Sequence, residues 1–267
     1  MKLHLVPART GVEWVRLGLR TFWRQPLAFA SLFFFFMAVI SIVSQLPLLG
    51  SIVAPVLLPF MTLGLMVATS IAHANDTPRP TSPAMFMAAA HAMRKEWRSL
   101  LILGAISAVY FVAAVLLSAL VDGGELARVY LLDADLTPAV AASSSFQTAR
   151  LLVMCLNIPL SLAMWHAPAL VHWHQTEPVK SLFFSVVALF RNFTAYAMFC
   201  LAWFGVFLIA GLGLGLLATV LVGVGVMGLG DGASAIGGAL MIGSALVLAA
   251  MSLSSTWFSF RDSFDAD

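Results

Sequence analysis

Six apolar runs, each about 20 residues or longer, alternate with short polar segments in the order polar, apolar, apolar, three times over. The runs are Leu27 to Leu46, Ser51 to His73, Ser99 to Val121, Leu151 to Trp173, Phe193 to about Leu221, and about Ala235 to Phe260. A run of that length crosses about 30 Å of hydrocarbon as a helix. There is no water there to bond to open backbone groups, so helix is the conformation such a run must take. The pattern predicts an all-α polytopic membrane protein with six transmembrane helices.

The polar segments before the first, third and fifth runs have a helical period of their own. In residues 9 to 26, Arg9, Glu13, Arg16, Arg20 and Arg24 share one face. Val15, Leu19 and Phe22 point away, with Trp14 and Trp23 suited to the headgroup level. Thr10 to Glu13 matches a capping box, and Pro26 closes the segment. Ser82-Pro83 opens the second segment, with His91, Arg94, Lys95 and Arg98 on one face and Phe86, Ala90, Met93 and Trp97 on the other. The third runs from 176 to 191 and carries Lys180 and Arg191. The three end alike, in Trp23-Arg24, Trp97-Arg98 and Phe190-Arg191. The chain therefore reads as one membrane domain of three parallel hairpin repeats, about 1–75, 76–175 and 176–267, each preceded by an amphipathic surface helix. Parallel repeats differ from the inverted repeats of many transporters.

Composition agrees. Hydrophobic residues make up 61% and charged residues 10%, with a mean hydropathy of +0.98, which excludes a water-soluble globular chain. Of the 14 basic residues, all but Arg128 and Arg150 fall on one side of this topology. The positive-inside rule then puts both termini in the cytoplasm. The basic N-terminal stretch is too long for a signal peptide, so the first apolar run is expected to stay as a membrane helix. Cys155 and Cys200 sit in apolar runs and read as packing residues.

Chemistry is sparse. The second membrane helix of each unit carries a polar stripe. Pro55, Pro59, Thr62, Thr69 and His73 lie within about 80°. Asn157, Ser161, Pro168, His172 and Gln175 lie within about 60°, and Ser244, Ser252, Ser255 and Ser259 within about 80°. Polar groups in lipid turn inward, so Thr62, Thr69, His73, Asn157, Ser161, His172, Ser252 and Ser255 form a candidate polar cavity. The competing and favoured reading is hydroxyls bonded to their own backbone and small residues packed closely. His172 and His174 point about 160° apart, which speaks against a metal site, and His166 is expected to be packed or hydrogen-bonded. Gly228 to Asp231 spells GxGD, but no apolar run holds the second aspartate an intramembrane protease needs. No catalytic residue, metal or cofactor is expected. Gly211 and Gly215 form a GxxxG, continued by Ala235, Ala239 and Gly243, and close approach of the last two membrane helices is the favoured reading.

The opening VPARTGVEWVRLGLRTFWRQPLAF, the motif MWHAPALVHW and the stretch SLFFSVVALFRNFTAYAMF resemble a family of six-helix proteobacterial inner-membrane proteins. More distantly, the chain is similar to the membrane domain of some glycerophosphodiester phosphodiesterases. The likeness implies a bacterial inner membrane and brings no activity with it.

The expectation from sequence is a non-enzymatic inner-membrane protein acting through membrane lipids, anionic ones above all, or through a membrane-protein partner or a second copy, and not through nucleic acid. Headgroup contacts are assigned to Arg16, Arg20, Arg24, Arg94, Lys95, Arg98, Lys180 and Arg191. The alternative is a small transporter or channel for a neutral or weakly polar solute, using Thr62, Asn157, Ser161 and Ser252.

Overall fold

The computed structural model describes residues 2–46, 50–74, 82–223 and 231–264. The turn at 47–49, the loop at 75–81 with Asp76 and Arg79, and the glycines at 225, 228 and 230 lie outside them. The described chain is helical, in the order α1 (Arg9–Arg24), α2 (Pro26–Ser44), α3 (Gly50–Ala74), α4 (Ser82–Lys95), α5 (Trp97–Asp122) and α6 (Glu125–Leu131). It continues with α7 (Pro138–Ala142), α8 (Ser144–Met164), α9 (Ala167–His174), α10 (Pro178–Arg191), α11 (Phe193–Gly223) and α12 (Asp231–Ser263). Among the described residues, six helical stretches are long and apolar enough to span a membrane: α2, α3, α5, α8 with α9, α11, and α12 from Gly237 onward.

Local chemistry accounts for the boundaries. Pro26 occupies the first turn of α2, where its missing N–H costs nothing. Gly123 takes a left-handed conformation (φ 70°) to stop α5. The Asp122 carboxylate then accepts from the N–H groups of Gly124 and Leu126 (2.9 and 2.7 Å) and so starts α6. The capping box expected at Thr10 does not form. Helix α1 begins at Arg9, with Ala8 at the cap and no side-chain cap bond.

Gly11 serves another purpose, and so does Gly18. Instead of lying only on lipid, α1 packs into α11 and α12. A Cβ on Gly11 would run into the Ala195 carbonyl oxygen, and one on Gly18 into Ser255. Trp14 is fully buried among α11 and α12 residues, 5.1 Å from the Tyr196 ring, and its indole N–H donates to Asp262 (2.9 Å). The headgroup position expected for Trp14 is thus replaced by a core position, whereas Trp23 is exposed. Burial gains little where the solvent is itself apolar. Close packing and hydrogen bonds are what hold these helices together.

The fourth span differs from a straight Leu151-to-Trp173 helix. It begins at Ser144 and breaks at Trp165-His166, dividing α8 from α9. Ser185 of α10 plugs the break: its hydroxyl donates to the Leu162 carbonyl and accepts from the His166 N–H, both at 3.0 Å. Close to the same level, Asn192 accepts from the Val6 N–H and donates to the His4 carbonyl (both 2.9 Å). That clamps the N-terminal segment beside the end of α12, where Leu3 bridges Phe264 and the His4 N–H donates to the Ser263 carbonyl (3.0 Å).

Helices α11 and α12 part company away from that end. A Cβ on Gly211, Gly215 or Gly243 would meet nothing within 4 Å, and an apolar crevice of about 330 Å³ opens between the two helices. The close approach expected of the GxxxG is therefore not made among the described residues. Besides those of α1, a tight glycine crossing is made at Gly104 of α5, where a Cβ would collide with the Val56 carbonyl of α3.

Candidate functional site

Proline-bearing α3 and α8 converge on α5 and leave a cavity of about 290 Å³, lined by Thr62, Ser107, Phe111, Asn157 and Ser161 and by Pro59. Three of the residues picked from the stripes, Thr62, Asn157 and Ser161, thus meet here. Each has turned its donor back on its own helix: Thr62 to Leu58 O (3.1 Å), Asn157 Nδ2 to Val153 O (2.8 Å) and Ser161 to Asn157 O (2.9 Å). Ser107 does the same to Leu103 O (3.1 Å). This is how a hydroxyl is made compatible with hydrocarbon, and it leaves the cavity wall short of donors.

Pro55, Pro59 and Pro168 of the stripes line the cavity too, whereas the other residues assigned to a polar cavity lie elsewhere. Thr69 is buried and donates to Leu65 O (2.8 Å). His73 reaches the end of α12, its Nε2 3.2 Å from Arg261 Nη1 and its ring 5.1 Å from the Phe258 ring. Since a guanidinium only donates, His73 Nε2 is the acceptor in that bond. Ser252 donates to Ala249 O (2.9 Å). Ser255 is buried between α1 and α11, donating to Ser252 O (2.6 Å) and accepting from Trp203 Nε1 (3.0 Å). The third stripe therefore faces α1 and α11, because the two glycines of α1 let that helix come closer than a span could. His172 Nδ1 lies 3.7 Å from Glu96 Oε1, a buried carboxylate that also accepts from Gln175 Nε2 (3.2 Å).

A second polar cluster is built round α12 and went unread in the sequence, apart from the packed histidine. His166, fully buried, bonds through Nε2 to the Tyr196 hydroxyl (2.6 Å), which is 3.0 Å from Ser263 Oγ. Arg261 lies over the Trp257 and Phe258 rings (5.4 and 5.2 Å) and donates from Nε to Asp262 (2.7 Å), the acceptor of Trp14. The chain Trp14–Asp262–Arg261–His73 ties α1, α12 and α3 together. Its signal was available in the RD pair closing an apolar run. Among the described residues, no three His, Cys, Asp or Glu side chains come together as a metal set.

The collar residues sit at the ends of the spans. Arg16, Arg20, Arg94, Lys95, Arg98, Lys180 and Arg191 are exposed and Arg24 is half-exposed. Lys180 pairs with Glu177 (2.9 Å), and the Arg98 guanidinium lies 5.4 Å over the Trp97 ring.

Six apolar helices with polar groups folded inward define a multi-pass integral membrane protein. A probable inner membrane protein of Burkholderia thailandensis is 34% identical over 274 residues, an alignment covering 99% of this chain and 94% of that one. The chain belongs to the same family of probable inner-membrane proteins, and its place is the inner membrane. No family model matches it, so the distant likeness to the phosphodiesterase-linked membrane domain gains no support. No solved structure matches it either.

Proposed function

We propose that this is a non-enzymatic inner-membrane protein that works through its contacts with anionic lipid or with a partner in the membrane. The observation that carries this is the exposed basic set on α1, α4 and α10, each helix leading directly into a span. Each such Lys or Arg contributes about 1 kcal/mol next to an anionic surface. The same order of elements supports three parallel surface-helix-plus-hairpin units, and the distribution of basic residues supports cytoplasmic termini.

The test is native mass spectrometry of protein released from mild detergent, comparing wild type with a variant in which Arg16, Arg20, Arg94 and Lys95 are glutamine. The wild type is expected to keep several anionic phospholipids or a stoichiometric second protein, and the variant fewer. Bare wild-type monomers, or the same lipid count in both, would remove this reading.

The cavity at Thr62, Asn157 and Ser161 favours a second reading, passage of a neutral or weakly polar solute. Solute uptake into liposomes that is lost in Asn157→Ala with Ser161→Ala would support it, and uptake no faster than in protein-free liposomes would remove it.

A further inference from the structure

The cavity at Asn157 does not end there. A second one, of about 360 Å³, lies towards α6 and is lined by Val115, Leu126, Tyr130, Arg150 and Val153. Phe111 and Asn157 line both, so the two are one groove seen in two parts. On its α8 wall, Arg150, Val153, Asn157, Ser161 and Met164 follow one another at spacings of three and four along one helical face, with Met154 beside them. From Arg150 to Met164 the groove is about 20 Å long at 1.5 Å per residue, enough to pass through one leaflet's share, about 15 Å, of the hydrocarbon.

Arg150 is the exceptional residue. It lies more than a turn inside α8, within the candidate spanning stretch, is exposed, and among the described residues is the one charged residue lining a mostly apolar cavity. The other basic residue at this end of the bundle, Arg128, is 3.5 Å from Glu125, whereas Arg150 has no hydrogen-bond or ion-pair partner among the described residues. An unpaired guanidinium at the head of an apolar groove calls for an anionic partner, and the best match is the forked geometry of a phosphate. The walls below it are aliphatic and aromatic. Where they are polar, the hydroxyls of Thr62, Ser107 and Ser161 and one N–H of Asn157 are already used on the helix's own carbonyls. A water-soluble anion would gain nothing from such walls, and an acyl chain would fill them.

We propose that this groove is a binding site for one anionic phospholipid of the leaflet on the α6 side, with its phosphate on Arg150 and an acyl chain laid along Val153, Asn157 and Ser161 past Phe111. It goes beyond the collar reading, because the collars lie at the opposite ends of these helices and contact the other leaflet.

The test supplies phosphatidylglycerol and zwitterionic phosphatidylethanolamine in equal amounts to the full-length protein in detergent and follows retained lipid by native mass spectrometry. The wild type holds one phosphatidylglycerol in preference to phosphatidylethanolamine. Arg150→Gln weakens it about tenfold, the worth of one charge-assisted contact. Met154→Trp, a change at an exposed wall residue that leaves the core intact, also weakens it by narrowing the groove. Arg128→Gln leaves it unchanged, as does neutralising the collars, so this site stands or falls separately from them. Equal retention of the two lipids by wild type, or retention in Arg150→Gln and Met154→Trp matching Arg128→Gln, overturns the proposal.

Discussion

Tyr196 carries more of the fold than its single hydroxyl implies, because it is the hydrogen-bond partner of a buried histidine whose other ring nitrogen has none among the described residues. Removing the hydroxyl in Tyr196→Phe strands His166 Nε2 in a dry core, at a cost of about 1–3 kcal/mol. The expected result is a lower midpoint of thermal unfolding in detergent, and an unchanged midpoint would show that the network is slack. Gly18→Leu should be worse, since the side chain would have to displace the backbone of α12 at Ser255. It is expected to leave little monodisperse protein on gel filtration. At this scale the sequence was legible in part. His166 was expected to be packed, and it is. Trp14 was misplaced because a tryptophan on a helix with an arginine face fits both a membrane interface and a protein core. Only the aspartate of α12 that accepts its N–H decides between them.

Helices α8 and α9 are one span in composition and two in structure, and Ser185 of another helix completes the joint. Ser185→Ala would leave the buried His166 N–H unmatched, costing about 1–3 kcal/mol, while the Leu162 carbonyl keeps the Trp165 N–H (3.3 Å). Ser181→Ala is the control. Its hydroxyl is equally buried but donates only to Pro178 O within its own helix, so its loss should leave the melting midpoint unchanged. Glycines of similar appearance also separate at this scale. Gly104→Leu is expected to unfold the α3–α5 contact, while Gly215→Leu points into open space and should melt like the wild type. Equal losses from both would mean that α11 and α12 close up in the membrane. Spacing marked the GxxxG correctly as small residues on a helix face. What spacing does not contain is whether a neighbouring helix arrives there, since that depends on the tilt of α12 after its C-terminal half has been fixed by α1.

For the whole molecule, hydropathy was enough to read six spans because lipid admits so few backbone conformations, and the apolar runs had to be helices of about that length. The groove residues were half legible. The stripe gave Thr62, Asn157 and Ser161, yet Arg150 was read as a loop charge, since nothing local reveals that α8 starts at Ser144 and carries it into the span. Single cysteines placed near Lys2 and at Arg261 in a cysteine-free background should react with an impermeant maleimide from the same side of the membrane. Reaction from opposite sides would contradict the pairing of Leu3 with Phe264. That pairing also has a consequence in time. The segment from Leu3 to Val6 is synthesised well before its permanent neighbours, Asn192, Ser263 and Phe264, and finds them only after α12 has been threaded. Until α11 and α12 have been made, the tryptophan and glycine face of α1 has no cover from them and rests on lipid or on an insertion factor. Docking of this early segment onto α12 is then a step that follows the synthesis of everything between them.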